Sequence, residues 1–185
     1  MPNAYLVGEK IYLRPLEKED ARVLAPWFND QEVTRTLLIY RPVSLVFEES
    51  FIEKANQNEA ELVLGIAVKV TDKLIGGTGF HHIDFQNRRA SFGIAIGDKA
   101  EWGKGYGTEA TRLMVNHAFA TLNLNRVWLN VYEFNRRGIR AYERVGFKQE
   151  GILRQDCFRE GRYWDSIIMG ILREEWQPSR AEPRT

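Results

Sequence analysis

A glycine-rich segment between a predicted strand and a predicted helix constrains this chain more than any other feature. It reads Trp102-Gly103-Lys104-Gly105-Tyr106-Gly107-Thr108, with three alternating glycines. It follows the strand-like run over 91–96 and opens an amphipathic helix. Such a turn leaves several main-chain N–H groups open, and a helix N-terminus adds a partial positive charge. The segment therefore predicts a site for a phosphate or diphosphate group.

The composition favours one globular domain. The 185 residues include 26 basic and 25 acidic ones, for a formal net charge of +1, so neither nucleic acid nor an anionic membrane is predicted as a partner. Cys157 is the single cysteine, which excludes an internal disulfide and a thiolate metal cluster. The chain shows no signal-peptide pattern and no apolar run of about 18 residues. We therefore expect a cytoplasmic protein, with one domain over 1–176 and a mobile tail over 177–185.

Hydrophobic periodicity and turn residues predict seven strands and four helices. The predicted strands cover 11–15, 61–70, 74–85, 90–96, 126–132, 147–158 and 163–172, and the predicted helices cover 17–28, 44–56, 108–122 and 135–145. The strand–helix–strand unit over 91–132 allows one parallel pair within a mostly antiparallel sheet. This order of elements predicts an α+β domain.

Three kinds of phosphate-binding loop compete for the glycine segment. A Walker loop needs four residues between its glycines and then Gly-Lys-Ser/Thr, which Gly103-Lys104-Gly105 does not supply. A dinucleotide fingerprint needs Gly-x-Gly-x-x-Gly, and counted from Gly103 its last glycine falls on Thr108. The third is the diphosphate loop of acyl-CoA-dependent transferases, with glycines two apart at the start of a helix. The spacing alone also leaves a plain turn-to-helix junction open.

Further motifs along nearly the whole chain carry a family resemblance. They are Ile11–Leu16, Asn29–Val33, Trp102–Ala110, Asn135–Phe147 and Glu150–Trp176. With these motifs the chain resembles the GCN5-related N-acetyltransferases (GNAT), in the branch with ribosomal-protein N-terminal acetyltransferases and spermidine acetyltransferase. The resemblance implies the GNAT fold, a mixed and mostly antiparallel sheet of about seven strands flanked by about four helices. It also implies acetyl-CoA as cosubstrate, no metal, and a possible homodimer.

The resemblance also implies which residues bind the cofactor. In the family, the strand backbone around Ile94, Ala95 and Ile96 bonds the pantetheine arm, and one N–H there polarises the thioester carbonyl. Asn135 caps the next helix, and in the family the same residue often faces the pantetheine arm, so Asn135 either has both roles or is only a cap. The diphosphate is bound by the glycine segment, which contributes Trp102, Gly103, Lys104, Gly105, Tyr106, Gly107 and Thr108.

Some of these positions leave two interpretations open. Trp102 stands where relatives often have Gln or Arg, so we expect it to pack against its neighbours or the cofactor. Lys104 is either a charge near the phosphates or a solvated loop lysine. The helix after Asn135 carries a basic face that is either solvated or directed to the 3′-phosphate of CoA; it consists of Arg136, Arg137, Arg140 and Arg144.

The resemblance implies that Tyr142 is the general acid that protonates the departing CoA thiolate, unless it is only a packed core tyrosine. Two positions depart from the family. Gly138 stands where some relatives carry a catalytic serine, and Ser91 stands where many place a glutamate base. The general base is therefore open, and the candidates are His81, His82, Asp84 and Glu133.

The sequence thus predicts an N-acetyltransferase in which a primary amine attacks acetyl-CoA directly in a ternary complex. Because no base is evident, an acceptor that loses its proton easily is favoured, such as a protein or peptide N-terminus. A polyamine or another small amine is the alternative acceptor. A non-catalytic acyl-CoA sensor is the alternative of a different class, and Tyr142 argues against it.

Overall fold

The computed structural model describes residues 1–177 of the chain. Their eight strands form one mixed sheet in the order β1-β2-β3-β4-β5-β6-β8-β7. The strands are β1 (Leu6–Val7), β2 (Ile11–Pro15), β3 (Leu62–Val68), β4 (Leu74–Asp84), β5 (Arg89–Ile96), β6 (Arg126–Tyr132), β7 (Lys148–Arg159) and β8 (Arg162–Leu172). The mobile tail predicted for 177–185 lies, beyond Gln177, outside the described residues.

Five α-helices accompany the sheet over residues 1–177. They are α1 (Ala21–Trp27), α2 (Gln31–Thr34), α3 (Leu45–Gln57), α4 (Tyr106–Ala120) and α5 (Arg136–Val145). The predicted α+β class is confirmed, and so is the mixed, mostly antiparallel sheet. The sequence missed β1 and α2 because two and four residues are too few to show a hydrophobic period.

Helices cover both faces of the sheet. On β4 the neighbours Leu74 and Ile75 point to opposite faces, as successive strand residues do. Ile75 joins the main core, to which α4 contributes Met114 and Ala118. Leu74 joins a smaller core with Leu24 of α1 and Ile52 of α3. The helices α1 and α3 therefore lie on one face, and α4 lies on the other. No helix within residues 1–177 has the length and apolarity needed to cross a membrane.

The strands β5 and β6 separate after a short paired stretch, and the gap between them lies next to the glycine segment. The strands β5 and β6 form the predicted parallel pair, but only residues 89–91 of β5 pair with 126–128 of β6. The strand β5 continues to Ile96, paired on its other side with β4. Residues 92–96 therefore leave one main-chain edge without a partner strand. This edge ends beside the glycine segment and the start of α4.

Candidate active site

One cavity of about 210 Å³ lies between the end of β5, the glycine segment and α5. Of the predicted site residues, those that line it are Ile94, Ala95, Ile96, Trp102, Gly103, Gly105, Tyr106, Gly107, Thr108, Asn135 and Tyr142. Lys104 is the exception. Its ammonium pairs with Glu101 at 2.7 Å, and Lys104 lines a neighbouring cavity of about 980 Å³ instead.

The glycine segment presents a row of open main-chain amides. Within residues 1–177, none of the six N–H groups of 103–108 donates a hydrogen bond. The first amide that does is that of Glu109, which donates to the Gly105 carbonyl at 3.1 Å. Gly103 and Gly105 adopt φ values of +79° and +88°, and a Cβ on either would meet nothing within 4 Å. Six open donors at the N-terminus of a 15-residue helix are an arrangement that favours the binding of an anion.

The open edge of β5 runs along the same cavity. The amide of Gly97 donates to Ile75 at 2.9 Å, and hydrogen-bonded positions alternate along an antiparallel pair. The main-chain groups of Ile94 and Ile96 therefore point away from β4 and into the gap. The Trp102 indole uses one of them, because its Nε1 donates to the Ile96 carbonyl at 2.7 Å. The Ile94 N–H and C=O stay available to a ligand that lies along the strand.

Trp102 and Arg137 close the cavity between the glycine segment and α5. The Arg137 guanidinium lies 4.3 Å from the centroid of the Trp102 ring, a cation–π geometry. Trp102 thus packs between β5 and an arginine. All four arginines of the predicted basic face are exposed, and two of them, Arg137 and Arg144, also line the cavity.

The start of α5 is closed by Asn135. Its Oδ1 accepts the Gly138 amide at 2.9 Å, which caps the helix. A Cβ on Gly138 would lie 2.6 Å from the Asn135 Nδ2. A serine, which some relatives carry at this position, would therefore push the Asn135 amide aside.

Tyr142 lies two turns along α5 and packs against Phe92 and Phe147, with ring centroids 6.4 and 5.9 Å apart. Its hydroxyl has no hydrogen-bond partner within residues 1–177, and Tyr142 is one of the residues that line the cavity. Burial raises the pKa of Tyr142 to about 12. The phenol therefore keeps its proton at neutral pH and can donate it into the cavity.

The candidate bases differ in their surroundings. Ser91 donates its hydroxyl to the His81 carbonyl at 2.9 Å. The Glu133 carboxylate accepts the Asp165 amide at 3.0 Å. Asp84 holds the turn after β4, and the Asn87 side chain that donates to it lowers the pKa of this carboxyl. His82 is exposed.

His81 has a partner that the sequence analysis missed. Its Nδ1 lies 2.5 Å from the Glu61 Oε2. Glu61 immediately precedes β3, one position beyond the Leu62–Phe80 pair of the β3–β4 ladder. The register of these two strands, once known, identifies Glu61 as the residue opposite His81. Among residues 1–177, no group of three or more His, Cys, Asp or Glu side chains is arranged to hold a metal ion.

Comparisons with known proteins agree with this geometry. The family model described as "Acetyltransferase (GNAT) domain" matches residues 10–148. The Bacillus licheniformis protein named "Uncharacterized N-acetyltransferase p20" is 34% identical over 174 residues, which cover 92% of this chain and 97% of that protein. Spermidine N(1)-acetyltransferase of Escherichia coli (strain K12) is 30% identical over 183 residues, which cover 99% of this chain and 95% of that protein.

Solved structures agree as well. A crystal structure of spermidine N-acetyltransferase from Vibrio cholerae in complex with CoA and spermine superimposes with a TM-score of 0.84. It is 28% identical and covers 91% of this chain and 98% of that one. The chain belongs to the GNAT acetyltransferase family. It is an acetyl-CoA-dependent N-acetyltransferase, and the predicted fold, cosubstrate and reaction class are confirmed.

Proposed function

We propose that the chain transfers the acetyl group of acetyl-CoA to a small primary amine of the polyamine type, by direct attack in a ternary complex. The main observation that supports binding of acetyl-CoA is the row of six open amides over 103–108. The amides bind the diphosphate of CoA, and the N-terminus of α4 adds a favourable electrostatic contribution. Lys104 stays near this anion but is held by Glu101.

The pantetheine arm lies in the gap between β5 and β6. Its amide groups pair with the open N–H and C=O of Ile94, much as an added strand pairs with a sheet edge. Ala95 and Ile96 line the same stretch. An N–H at this edge polarises the thioester carbonyl, and Asn135 faces the arm from the start of α5.

Tyr142 is the general acid in this proposal. The amine nitrogen forms a bond to the acetyl carbon, the C–S bond breaks, and the sulfur leaves with its electron pair. The phenol then protonates that sulfur, and the proton that the new amide nitrogen loses restores the phenol through solvent. Burial raises the pKa of Tyr142 to about 12, but the thiolate is formed in the same desolvated site, which raises its own pKa in the same direction. Proton transfer is therefore less unfavourable than the free phenol and thiol suggest.

The acceptor assignment rests on the relatives and on the shape of the cavity. The E. coli and V. cholerae relatives are spermidine acetyltransferases. The cavity is also lined by Val33, Thr36 and Leu37 of α2 and the following loop. The apolar side chains of Val33 and Leu37 suit the alkyl part of a small amine.

A peptide N-terminus is the second candidate acceptor. Its amine has a pKa near ~8, compared with about 10.4 for an alkyl amine, so it needs less help to lose its proton. The hydroxyl of Ser91, at the position of the glutamate base in many relatives, is already used in a hydrogen bond to the His81 carbonyl.

An acceptor screen tests the proposal. The release of free thiol from acetyl-CoA is followed with spermidine, spermine, butylamine and a short peptide that has a free N-terminus. We expect a kcat/KM for spermidine or spermine at least ten times that for the peptide. Turnover of the peptide with inert polyamines would reverse the choice of acceptor, and no thiol release with any amine would contradict the proposal.

We also propose that the protein is a cytoplasmic homodimer. The cytoplasmic location is supported by the need for acetyl-CoA. The dimer is supported by β7, an edge strand of 12 residues with the exposed apolar side chains Ile152, Leu153 and Phe158, because an open edge of this kind pairs readily with a second copy. Light scattering tests the dimer, and a mass of 21.5 kDa would contradict it.

A further inference from the structure

A histidine–carboxylate pair lies beside β5 and consists of His81 on β4 and Glu61 just before β3. The Glu61 carboxylate contacts the His81 Nδ1 at 2.5 Å and accepts the His82 amide at 3.3 Å on its other oxygen. Glu61 therefore holds the Nδ1–H of the imidazole in place. Within residues 1–177 the Nε2 has no hydrogen-bond partner, so it presents a lone pair.

The free Nε2 lies over Gly93. A Cβ built on Gly93 would be 3.4 Å from this nitrogen. Gly93 immediately precedes Ile94, whose main chain borders the gap where the thioester is proposed to lie. The imidazole is partly exposed, at 34% of its side-chain surface, and an amine can reach it.

His81 and Tyr142 approach β5 from opposite faces. Tyr142 packs against Phe92, and the neighbouring Gly93 presents the other face of the strand to His81. Ala95 and Gly97 share the His81 face, and a Cβ on Gly97 would meet the Trp27 ring of α1; Val33, Thr36 and Leu37, the proposed acceptor side of the cavity, follow α1 in the chain. An amine that enters on this face meets the carbonyl carbon from the side opposite the proposed acid.

An irregularity in the sheet produces this placement. The β4–β5 register shifts between His81 and Asp84, and His82 adopts a φ of +52°. The bulge turns His82 outward while His81 stays in register opposite Ser91. Bulges often redirect side chains next to active sites.

We propose that His81 is the general base of the reaction and that Glu61 is its positioning residue. This inference rests on the proposed function. The Nε2 accepts one proton from the ammonium form of the acceptor and later releases it to solvent. The neutral nitrogen forms the C–N bond, the C–S bond breaks, and the sulfur is protonated by Tyr142. The second proton leaves the new amide nitrogen and restores Tyr142 through solvent.

The other candidates are engaged elsewhere. The Glu133 carboxylate holds the Asp165 amide, Asp84 holds Asn87, and the Ser91 hydroxyl donates to a carbonyl. The charged group in hydrogen-bond contact with the imidazole is Glu61. With a base present, an alkyl amine that is mostly protonated at neutral pH becomes a competent acceptor.

The test compares His81→Gln with the matched control His82→Gln, which changes the same residue type one position away on an exposed side chain. With spermidine at pH 7.5, we expect His81→Gln to lower kcat about 100-fold and leave the Kd for CoA within twofold. His82→Gln should change both by less than threefold. The loss in His81→Gln should shrink about tenfold for each pH unit toward the pKa of the amine, because the acceptor then arrives neutral.

Two further variants separate catalysis from folding. Gly93→Ala adds a methyl group at an ordinary contact distance in front of the Nε2, so the protein folds but kcat falls at least tenfold. Glu61→Gln should lower kcat about tenfold, and His81→Gln/Glu61→Gln should be no slower than His81→Gln alone. Wild-type kcat in His81→Gln, or a loss that is the same at every pH, would overturn the inference. Wild-type protein that acetylates no amine would refute the proposed function and this inference with it.

Discussion

Two helices begin at the same cavity, and their first turns are built in opposite ways. At α4, residues 103–108 leave six consecutive amides open. At α5, the Asn135 side chain accepts the Gly138 amide, the third of the helix, at 2.9 Å; the corresponding amide of α4 is that of Thr108, which is one of the six open groups. The first helix is open to an anion, whereas the second is closed by its own cap.

The difference follows from residue type. Gly105 precedes α4 with a φ of +88° and has no side chain that can fold back over the turn. Asn135 precedes α5 and has an amide oxygen at the reach needed for a cap. An open helix start suits a ligand that supplies its own charge. A capped start suits a helix whose task is to hold Tyr142 in place.

The largest effect is expected at Gly105. Asp and Asn both tolerate its left-handed conformation, and they differ by one charge. A carboxylate about 4 Å from a phosphate costs roughly 4 kcal/mol at an effective dielectric constant of 20. Gly105→Asp should therefore raise the Kd for CoA at least 100-fold, and Gly105→Asn less than tenfold, as measured by calorimetry. Equal losses in the two variants would mean that the open turn of α4 does not face the diphosphate.

The second-largest effect is expected on kcat, at Tyr142 of α5. Tyr142→Phe removes the proton donor but keeps the ring that packs on Phe92 and Phe147. We expect kcat to fall about 100-fold with an unchanged Kd for CoA. Since the pKa of Tyr142 is raised to about 12, the phenol stays protonated below that pH. Wild-type kcat should therefore show no loss through Tyr142 ionisation up to pH 10. A variant as fast as the wild type would remove Tyr142 from the mechanism.

The cap itself is expected to have a smaller effect, on stability. Asn135→Ala should lower the free energy of unfolding by about 1 kcal/mol, whereas Asn135→Asp keeps an acceptor for the Gly138 amide and should lose less than half of that. Denaturant unfolding measures both. If Asn135→Ala were as stable as the wild type, the Asn135 cap would not stabilise α5. The proposed difference between the starts of α4 and α5 would then be contradicted.

The smallest effect is expected at Trp102, between the two helices. Trp102→Phe loses the hydrogen bond to the Ile96 carbonyl but keeps a ring beneath Arg137. We expect the Kd for CoA to change less than threefold, because the amides of the turn come from the main chain. A tenfold loss would show that the indole, rather than the open turn, organises the cofactor site.

Local patterns predicted most of this fold. The three alternating glycines predicted the anion site, and the apolar stripe after them predicted α4. The two-residue turn Glu160-Gly161, with φ values of +53° and +78°, joins β7 and β8 between the two strands predicted over 147–158 and 163–172. These features depend on residues that are close together in the sequence, so they can be predicted from the sequence alone.

Features that depend on strand register were not predictable. Glu61 and His81 are 20 residues apart, and only the β3–β4 alignment brings them into contact. The shift of register after His81 depends on how β4 and β5 pair. The short distance between a Cβ on Gly138 and the Asn135 side chain likewise became evident only from the structure. The pair between Glu101 and Lys104, three residues apart, is an exception that the spacing alone could have indicated.

The most direct test of the open turn is a nitrogen–proton NMR titration of the amides of residues 103–108. On addition of CoA, these six amide protons should shift downfield as they form hydrogen bonds to phosphate. Pantetheine, which lacks the diphosphate, should leave them in place while it shifts Ile94. If CoA bound and the largest shifts fell elsewhere, with residues 103–108 unmoved, the account of this site would be contradicted.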